Sequence, residues 1–420
     1  MTVSFSDFAN TVGIETAFSV LAAARRLKAT GKHVIELEIG DSPFPATQSA
    51  KRAAIAAIEG DQSHYGPAVG LNELREAAAA YVRNEHGVQA QAENVVIGAG
   101  AKIFEQLFCE AFLNPGDGVL VFSPHFPTYL PNIDRRGARA WLADLRAADQ
   151  FRPRLDDVER FLREDPRPKA IFLNSPHNPT GGVATEEDLR GVADLVRGRD
   201  IAIFSDEPYD QMVWRGRHQT VLAQPGMDAQ CVAAYTFSKS YSMSGYRLGF
   251  AVSSSPIIER LATLLNTTLS CVPPLVQLAG VAALEHDAAE RNQNMKRFKE
   301  QVNALAAGLA GVPDVRCAPP DGTFYVFPNV KAVCNRLGLT SHGLAMFLLD
   351  GADDQQGLAC LGGECFGAAG AGYLRFSCAE PSTVMQEAVR FFRVAITRAD
   401  AARRFAAQFP HFALRAPYAD

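Results

Sequence analysis

The segment Thr236-Phe237-Ser238-Lys239-Ser240 sets one lysine between two hydroxyls at the end of an apolar run. Arg247 follows eight positions later in Gly245-Tyr246-Arg247-Leu248-Gly249. A lysine amine condenses with an aldehyde to form an imine, and hydroxyls and a guanidinium beside it hold a phosphate. That combination suits pyridoxal phosphate (PLP), with Lys239 as the imine-forming residue and Thr236, Ser238 and Arg247 on the phosphate. Most lysines are solvated surface charges, so this reading depends on partners elsewhere in the chain.

Four further segments supply them, each just after a β-rich run. Gly98-Ala99-Gly100-Ala101-Lys102 follows a candidate strand at 94–97 and precedes a helical pattern. A glycine turn feeding a helix start presents free N–H groups to a phosphate. It is not a dinucleotide fingerprint, because the third glycine of that motif would fall on Ile103. Tight turns need glycine in any case, and Phe104, Phe108 and Phe112 at helical spacing read as core. Ser123-Pro124-His125-Phe126 follows 118–122; Phe126 can stack on a pyridine ring or simply pack. Asn178 lies in Asn174-Ser175-Pro176-His177-Asn178-Pro179-Thr180-Gly181-Gly182, after 170–173. It can donate to the cofactor's phenolate oxygen, although Asn-Pro is also a turn signal. Asp206-Glu207-Pro208-Tyr209 follows 201–204. A carboxylate leaving an apolar strand is poorly solvated and wants a cation. A protonated pyridine nitrogen is one, and keeping it protonated makes the ring an electron sink. Tyr209 can reach the phenolate oxygen beside Asn178. In open parallel sheets ligands sit beyond the carboxyl ends of the strands, and all five segments lie there.

The rest of the chain must build elements that hold these segments. Its 420 residues allow two domains, and 47% hydrophobic content supports a large core. Candidate strands at 94–97, 118–122, 170–173, 201–204, 231–236 and 248–252 alternate with helical patterns such as 185–198. The start of that helix, Glu186-Glu187-Asp188, complements a helix N-terminus. The alternation implies an α/β fold: a large domain over 47–290 with a mostly parallel sheet flanked by helices. Residues 288–312 read as a long charged amphipathic helix. Beyond it, strands at 315–318, 323–327 and 372–377, a helix at 341–349 and a final helix from 381 form a smaller α+β domain over 291–420. The N-terminal segment 1–46, with a helix at 15–30 and a strand at 34–39, joins that smaller domain.

Other function classes fit poorly. The formal charge, 41 minus 46 or −5, argues against a nucleic-acid partner and gives no polybasic membrane signal. No apolar run approaches the ~18 residues of a membrane span, and Met1-Thr2-Val3-Ser4-Phe5-Ser6-Asp7 lacks the layout of a signal peptide. A cytoplasmic protein is expected. The eight cysteines form no Cys-x-x-Cys pair, and histidines are not at zinc-ligand spacing. They read as buried free thiols, with no metal site.

In order and spacing, five motifs together resemble the class I/II PLP-dependent aminotransferases of the aspartate aminotransferase fold (fold type I) over residues 30–400. They are Tyr65-Gly66-Pro67-Ala68-Val69-Gly70-Leu71-Asn72-Glu73-Leu74-Arg75, Gly100-Ala101-Lys102, Asn178-Pro179-Thr180-Gly181, Asp206-Glu207-Pro208-Tyr209, and Ser238-Lys239 with Gly245-Tyr246-Arg247-Leu248-Gly249. The resemblance implies a homodimer with shared active sites, in which Tyr65 reaches the phosphate bound in the neighbouring subunit. It places Gly100, Ala101 and Lys102 near the cofactor. It implies that Arg375, in Gly372-Tyr373-Leu374-Arg375-Phe376-Ser377, grips the substrate α-carboxylate, with Gly40 and Asn178 also on the substrate side. The stretch through Pro45 would close over the substrate.

The implied activity is transamination between an L-amino acid and a 2-oxo acid such as 2-oxoglutarate. The freed Lys239 amine would act as base and acid while Asp206 stabilises the carbanion through the ring nitrogen. Lys102 matches a position where some bacterial relatives direct a lysine to a distal carboxylate, which favours aspartate or another acidic donor. As a helix-surface residue near the phosphate it would leave aromatic or aliphatic donors open. Three departures surround the substrate rather than the cofactor: His125 replaces the first of an aromatic pair, Gly362-Gly363 replaces Pro-Gly, and Gly40-Asp41-Ser42-Pro43 differs from Gly-Glu-Pro. A PLP lyase or cyclase, of the C–S lyase or aminocyclopropane-carboxylate synthase type, would keep the same cofactor residues. A PLP-binding regulator would carry an added DNA-binding domain, whereas 1–46 reads as one helix and a strand. A nucleotide-binding α/β protein is weakened by Ile103.

Overall fold

The apolar runs become strands, those at the centre of the main sheet buried on both faces. In chain order they are β1 (His33–Glu36), β2 (Val95–Gly98), β3 (Gly118–Ser123), β4 (Arg139–Asp144), β5 (Pro168–Asn174) and β6 (Ala202–Asp206). There follow β7 (Cys231–Thr236), β8 (Gly249–Val252), β9 (Tyr325–Val326), β10 (Gln356–Ala359), β11 (Leu361–Gly362) and β12 (Leu374–Ser377). A computed structural model describes residues 3–13 and 15–419. The outermost ends of segments 1–46 and 291–420, with Met1 and Thr2 of the N-terminus read above, lie outside the described residues, as does Ile14.

Seven strands form one α/β sheet in the order β2-β8-β7-β6-β5-β3-β4. β8 runs antiparallel to β2 and β7, and the remaining pairs are parallel. Apart from the exposed edge strand β4, alternate residues of each strand feed opposite cores. Leu120 and Phe122 of β3 pack with Leu74 and Val82 of the helix Asn72–His86 and Val192 of the helix Glu186–Val196. Val119 and Val121 pack with Phe104 and Phe108 of the helix Lys102–Phe112 and Leu261 of the helix Ser255–Leu269. Parallel sheets covered by crossover helices require this double burial.

A separate core gathers the helix Ala288–Ala310 (Phe298, Val302, Leu305), Phe324, Val326, Phe376 and Phe392. Around it lie a parallel pair, β1-β10, and an antiparallel sheet, β11-β12-β9. Tyr209, Met212 and Trp214, which follow β6, belong to this core. Trp214 Nε1 donates to the Thr323 carbonyl at 2.6 Å. The chain leaving β6 thus crosses from one core to the other. Burying Met212 contributes about 1.5–3 kcal/mol toward fixing that crossing. Any site at the end of β6 therefore sits where the two cores meet.

Most expected elements form within a residue or two, and the exceptions have local causes. No strand forms at 315–318, where the backbone pairing is an isolated bridge between Arg316 and Asn329. Pro313, Pro319 and Pro320 flank the run and remove ladder donors, and Asp314 has φ 63°. The strand expected at 323–327 shrinks to β9 because Thr323 has φ 64° and Pro328 follows. The strand expected at 34–39 pairs only through Glu36, and Ile39-Gly40 turns toward the site. The helix at 341–349 is α-helical only over Ser341–Met346 and continues as a π-turn, Phe347–Gly351. The edge strand β4 was not expected: its apolar run, Ala140-Trp141-Leu142-Ala143, is short and does not alternate, and four of its six residues are exposed. A further helix, Ala399–Gln408, follows the expected one at Ser382–Ala395. No helix among the described residues is long and apolar enough to cross a membrane.

Candidate active site

Strand ends and a loop from each core enclose a cavity of about 550 Å³. Its walls include Ala101 and Lys102 after β2, Phe126 after β3, Asn178 after β5, and Asp206 and Tyr209 at and after β6. Thr236, Ser238 and Lys239 follow β7; Arg247, Gly40 and Arg375 complete the lining. Tyr65 does not line it; its side chain stands 91% exposed on this chain.

At the centre, Lys239 Nζ donates to the Gly40 carbonyl at 2.7 Å and lies 5.9 Å from the Tyr209 ring. Gly40 is required there, because a Cβ would collide with the Tyr325 hydroxyl. On one side, the Thr236 hydroxyl donates to Ser238 Oγ at 2.9 Å. Arg247, at φ 53°, reaches the Ala99 carbonyl with Nη2 at 3.2 Å. Gly100 makes room for it: at φ 82° its added Cβ would sit 2.5 Å from Arg247 Nη2. Two hydroxyls, a guanidinium and the start of the helix Lys102–Phe112 therefore converge on one end of the cavity.

Asp206 is buried at the base. The Tyr129 hydroxyl donates to Oδ2 at 2.5 Å, and among the described residues it is the only donor to that carboxylate. Burial pushes the Asp206 pKa up to about 6, with Glu207 adding to the rise and Tyr129, Lys102 and Lys239 opposing it. Such a carboxyl is short of positive charge. Tyr209 faces Tyr325, their hydroxyls 3.1 Å apart.

At the other end Arg375 is 4% exposed. Nη1 donates to Asn178 Oδ1 at 3.1 Å and Nη2 to the Glu38 carbonyl at 2.5 Å. The Tyr325 and Phe366 rings cover the guanidinium, with centroids at 4.3 and 4.9 Å. A buried cation held by neutral oxygens and aromatic faces is suited to an incoming carboxylate. Lys102, near the mouth, pairs with Glu15 and lies 5.1 Å from the Phe126 ring.

Residues 32–392 match the family described as "Aminotransferase class I and II". The chain belongs to that family. The aspartate aminotransferase of Pyrococcus abyssi is 30% identical over 91% of this chain and 95% of its own length. A probable aspartate/prephenate aminotransferase of Aquifex aeolicus is 32% identical over 90% and 95%. The structure of Thermus thermophilus aspartate aminotransferase with maleate superposes with a TM-score of 0.87 at 25% identity, covering 94% of this chain and all of that one.

This aminotransferase places several residues in the site that the sequence did not single out for it. Tyr129 holds Asp206, Tyr325 joins Tyr209 and Arg375, Phe366 covers Arg375, and Glu15 meets Lys102. Only Tyr129 left a usable signal, standing three residues after Phe126 in the loop beyond β3.

Proposed function

We propose that this aminotransferase moves the amino group of an acidic L-amino acid, with aspartate the first candidate, to a 2-oxo acid such as 2-oxoglutarate, using PLP held at Lys239. One observation carries the reading: a single cavity is lined by Lys239, by the buried Asp206 with its raised pKa, and by the enclosed cation Arg375. The cavity volume supports a cofactor with a small substrate. A buried carboxylate with one hydroxyl donor and a raised pKa is the group a protonated pyridine nitrogen would satisfy. The hydroxyl–guanidinium cluster at the opposite end suits a phosphate dianion.

In this reading Thr236, Ser238, Arg247 and the N–H groups of Gly100, Ala101 and Lys102 hold the phosphate. Phe126 would pack against the cofactor ring, and Asn178 and Tyr209 would be the donors available to its phenolate oxygen. When bound, PLP supplies the electron sink for charge left at the substrate α-carbon. Lys239 Nζ removes the α-proton and returns it in the second step. Arg375 fixes the α-carboxylate so that the C–H bond faces Lys239, while Tyr325 and Phe366 keep water from the guanidinium. Acidic substrates are favoured by Lys102 at the mouth, and the Pyrococcus and Thermus relatives are named for aspartate.

A homodimer is part of the proposal. Tyr65 stands exposed, as do Ile55 and Ile58 of the helix Gln48–Glu59, beside a groove formed with Leu275 and Val276. Tyr65 is assigned to the partner's phosphate. The eight unpaired cysteines support a reducing compartment such as the cytoplasm.

The visible spectrum of the purified enzyme, with L-aspartate or L-glutamate added and no 2-oxo acid, tests the reading. Conversion of the lysine-bound cofactor to its amine form is expected. Lys239→Ala should abolish that conversion and leave the circular dichroism spectrum unchanged. Steady ammonia release without an acceptor would instead identify a lyase, and no cofactor absorption after reconstitution would overturn the proposal.

A further inference from the structure

The mouth of the cavity already contains a carboxylate on its cation. Glu15 lies just before the helix Thr16–Ala29, which packs Val20 and Ala24 against Val34, Leu361 and Phe366. From there its carboxylate accepts a hydrogen bond from Lys102 Nζ, 87 residues away in sequence. Both side chains line the same cavity as Lys239 and Arg375. Glu15 is the more enclosed, 19% exposed against 45% for Lys102. Lys102 also faces the Phe126 ring, and it feels the buried carboxyls of Glu105 and Asp206 through space. Its one direct charged partner among the described residues is thus Glu15.

That partner presents the same functional group as the distal end of an acidic amino acid. We propose that Glu15 is a specificity-determining residue that competes with a substrate's distal carboxylate for Lys102. The inference rests on the site assignment above and deepens it. A dicarboxylic donor must displace Glu15 or share Lys102 with it, against like-charge repulsion. An apolar donor leaves the Glu15–Lys102 pair intact as a neutral wall beside Phe126. The position of Glu15, rather than Lys102 alone, then sets how strongly the enzyme prefers acidic over apolar donors.

Glu15→Gln keeps the size and removes the competing charge. In the holoenzyme, the ratio of kcat/KM for L-aspartate to that for L-phenylalanine is expected to rise about tenfold, the order of one partly enclosed ion pair. Calorimetric titration with maleate, a dicarboxylate with no amino group to transfer, should show tighter binding by a similar factor. Both effects should vanish in a Lys102→Met background, as coupling through that residue demands. Equal changes for both donors, with unchanged maleate affinity, would reduce Glu15 to a structural role and overturn the proposal. Persistence of the effect without Lys102 would overturn it too. If no amino acid is converted at all, the proposed transamination fails, while the maleate titration still decides the competition for Lys102.

Discussion

Three carboxylates leave the end of β6 within five residues, and the structure treats them in opposite ways. Glu207 and Asp210 point behind the site. His218 Nε2 donates to Glu207 at 2.7 Å, with Ser205 at 2.7 Å and Thr220 at 2.5 Å. His86 Nε2 lies 3.0 Å from Asp210, which also accepts from the Tyr81 hydroxyl. Burial alone would raise both pKa values, but the histidine hydrogen bonds and charges outweigh it and hold both below the usual carboxylate range. Asp206 is equally buried, has one hydroxyl donor, and is raised. Both rear carboxylates find their partners within the chain. The front carboxylate has one hydroxyl donor and a raised pKa, and in the proposed reading a bound pyridine nitrogen would be its further partner.

Removing each group should break the comparison in a different observable. Asp206→Ala is expected to lower kcat about 10³-fold, the scale of a lost electrostatic stabiliser. The melting temperature of the apoenzyme should not fall, because a poorly satisfied acid has been removed. A large loss of stability would show that Asp206 belongs with the rear pairs. His218→Ala should do the reverse. It leaves the buried Glu207 without its imidazole hydrogen bond, which costs about 1–3 kcal/mol in urea unfolding. Turnover of the folded fraction should change far less than in Asp206→Ala.

This division explains what could be read from the sequence. That Asp206, Asn178 and Lys239 share one cavity was legible because each stands at or just beyond the end of an apolar strand. The sheet was legible because β3, β5, β6 and β7 are apolar on both faces. Contacts made by the fold alone were not. Tyr129 and Asp206 are 77 residues apart and Tyr209 and Tyr325 are 116 apart, and no local pattern links them. The exposed edge strand β4, with a short apolar run and no alternation, carried a weak strand signal, and the proline-flanked run at 315–318 carried a false one.

A second raised acid sharpens the contrast through pH. Glu38 is fully buried behind Arg375, and neither carboxyl oxygen has a hydrogen-bond partner among the described residues. Burial pushes its pKa from 4.5 up to about 7, with Glu36 adding and Arg375 and Lys28 opposing. The folded state therefore binds a proton that the unfolded state has lost between those two values, so stability falls as pH rises through that window. The swing is on the order of 3 kcal/mol. The rear acids have depressed pKa values and slope the other way, losing stability as pH falls through the acid range. Glu38→Gln should flatten the loss on going from pH 4.5 to 7, read as urea midpoints across that range. An unchanged slope would place the proton elsewhere.

The smallest effect tests the single donor that Asp206 does have. Tyr129→Phe removes one hydroxyl and keeps the ring, which packs at 5.1 Å from Phe172 and 5.8 Å from Phe126. A hydrogen bond to a charged group is worth about 1.5–3 kcal/mol. Losing it favours the protonated form of Asp206, so the acid limb of the kcat profile should move to higher pH in the holoenzyme. Activity on the alkaline side of that limb should stay within about tenfold of the parent, because a bound cation still draws the proton off Asp206. Rear-side Tyr81→Phe also removes a hydroxyl donor from a buried carboxylate, yet it should leave the kcat profile in place and lower only the urea midpoint. If both variants move the profile alike, the front and rear carboxylates titrate as one network, and the separation between site and scaffold along β6 fails.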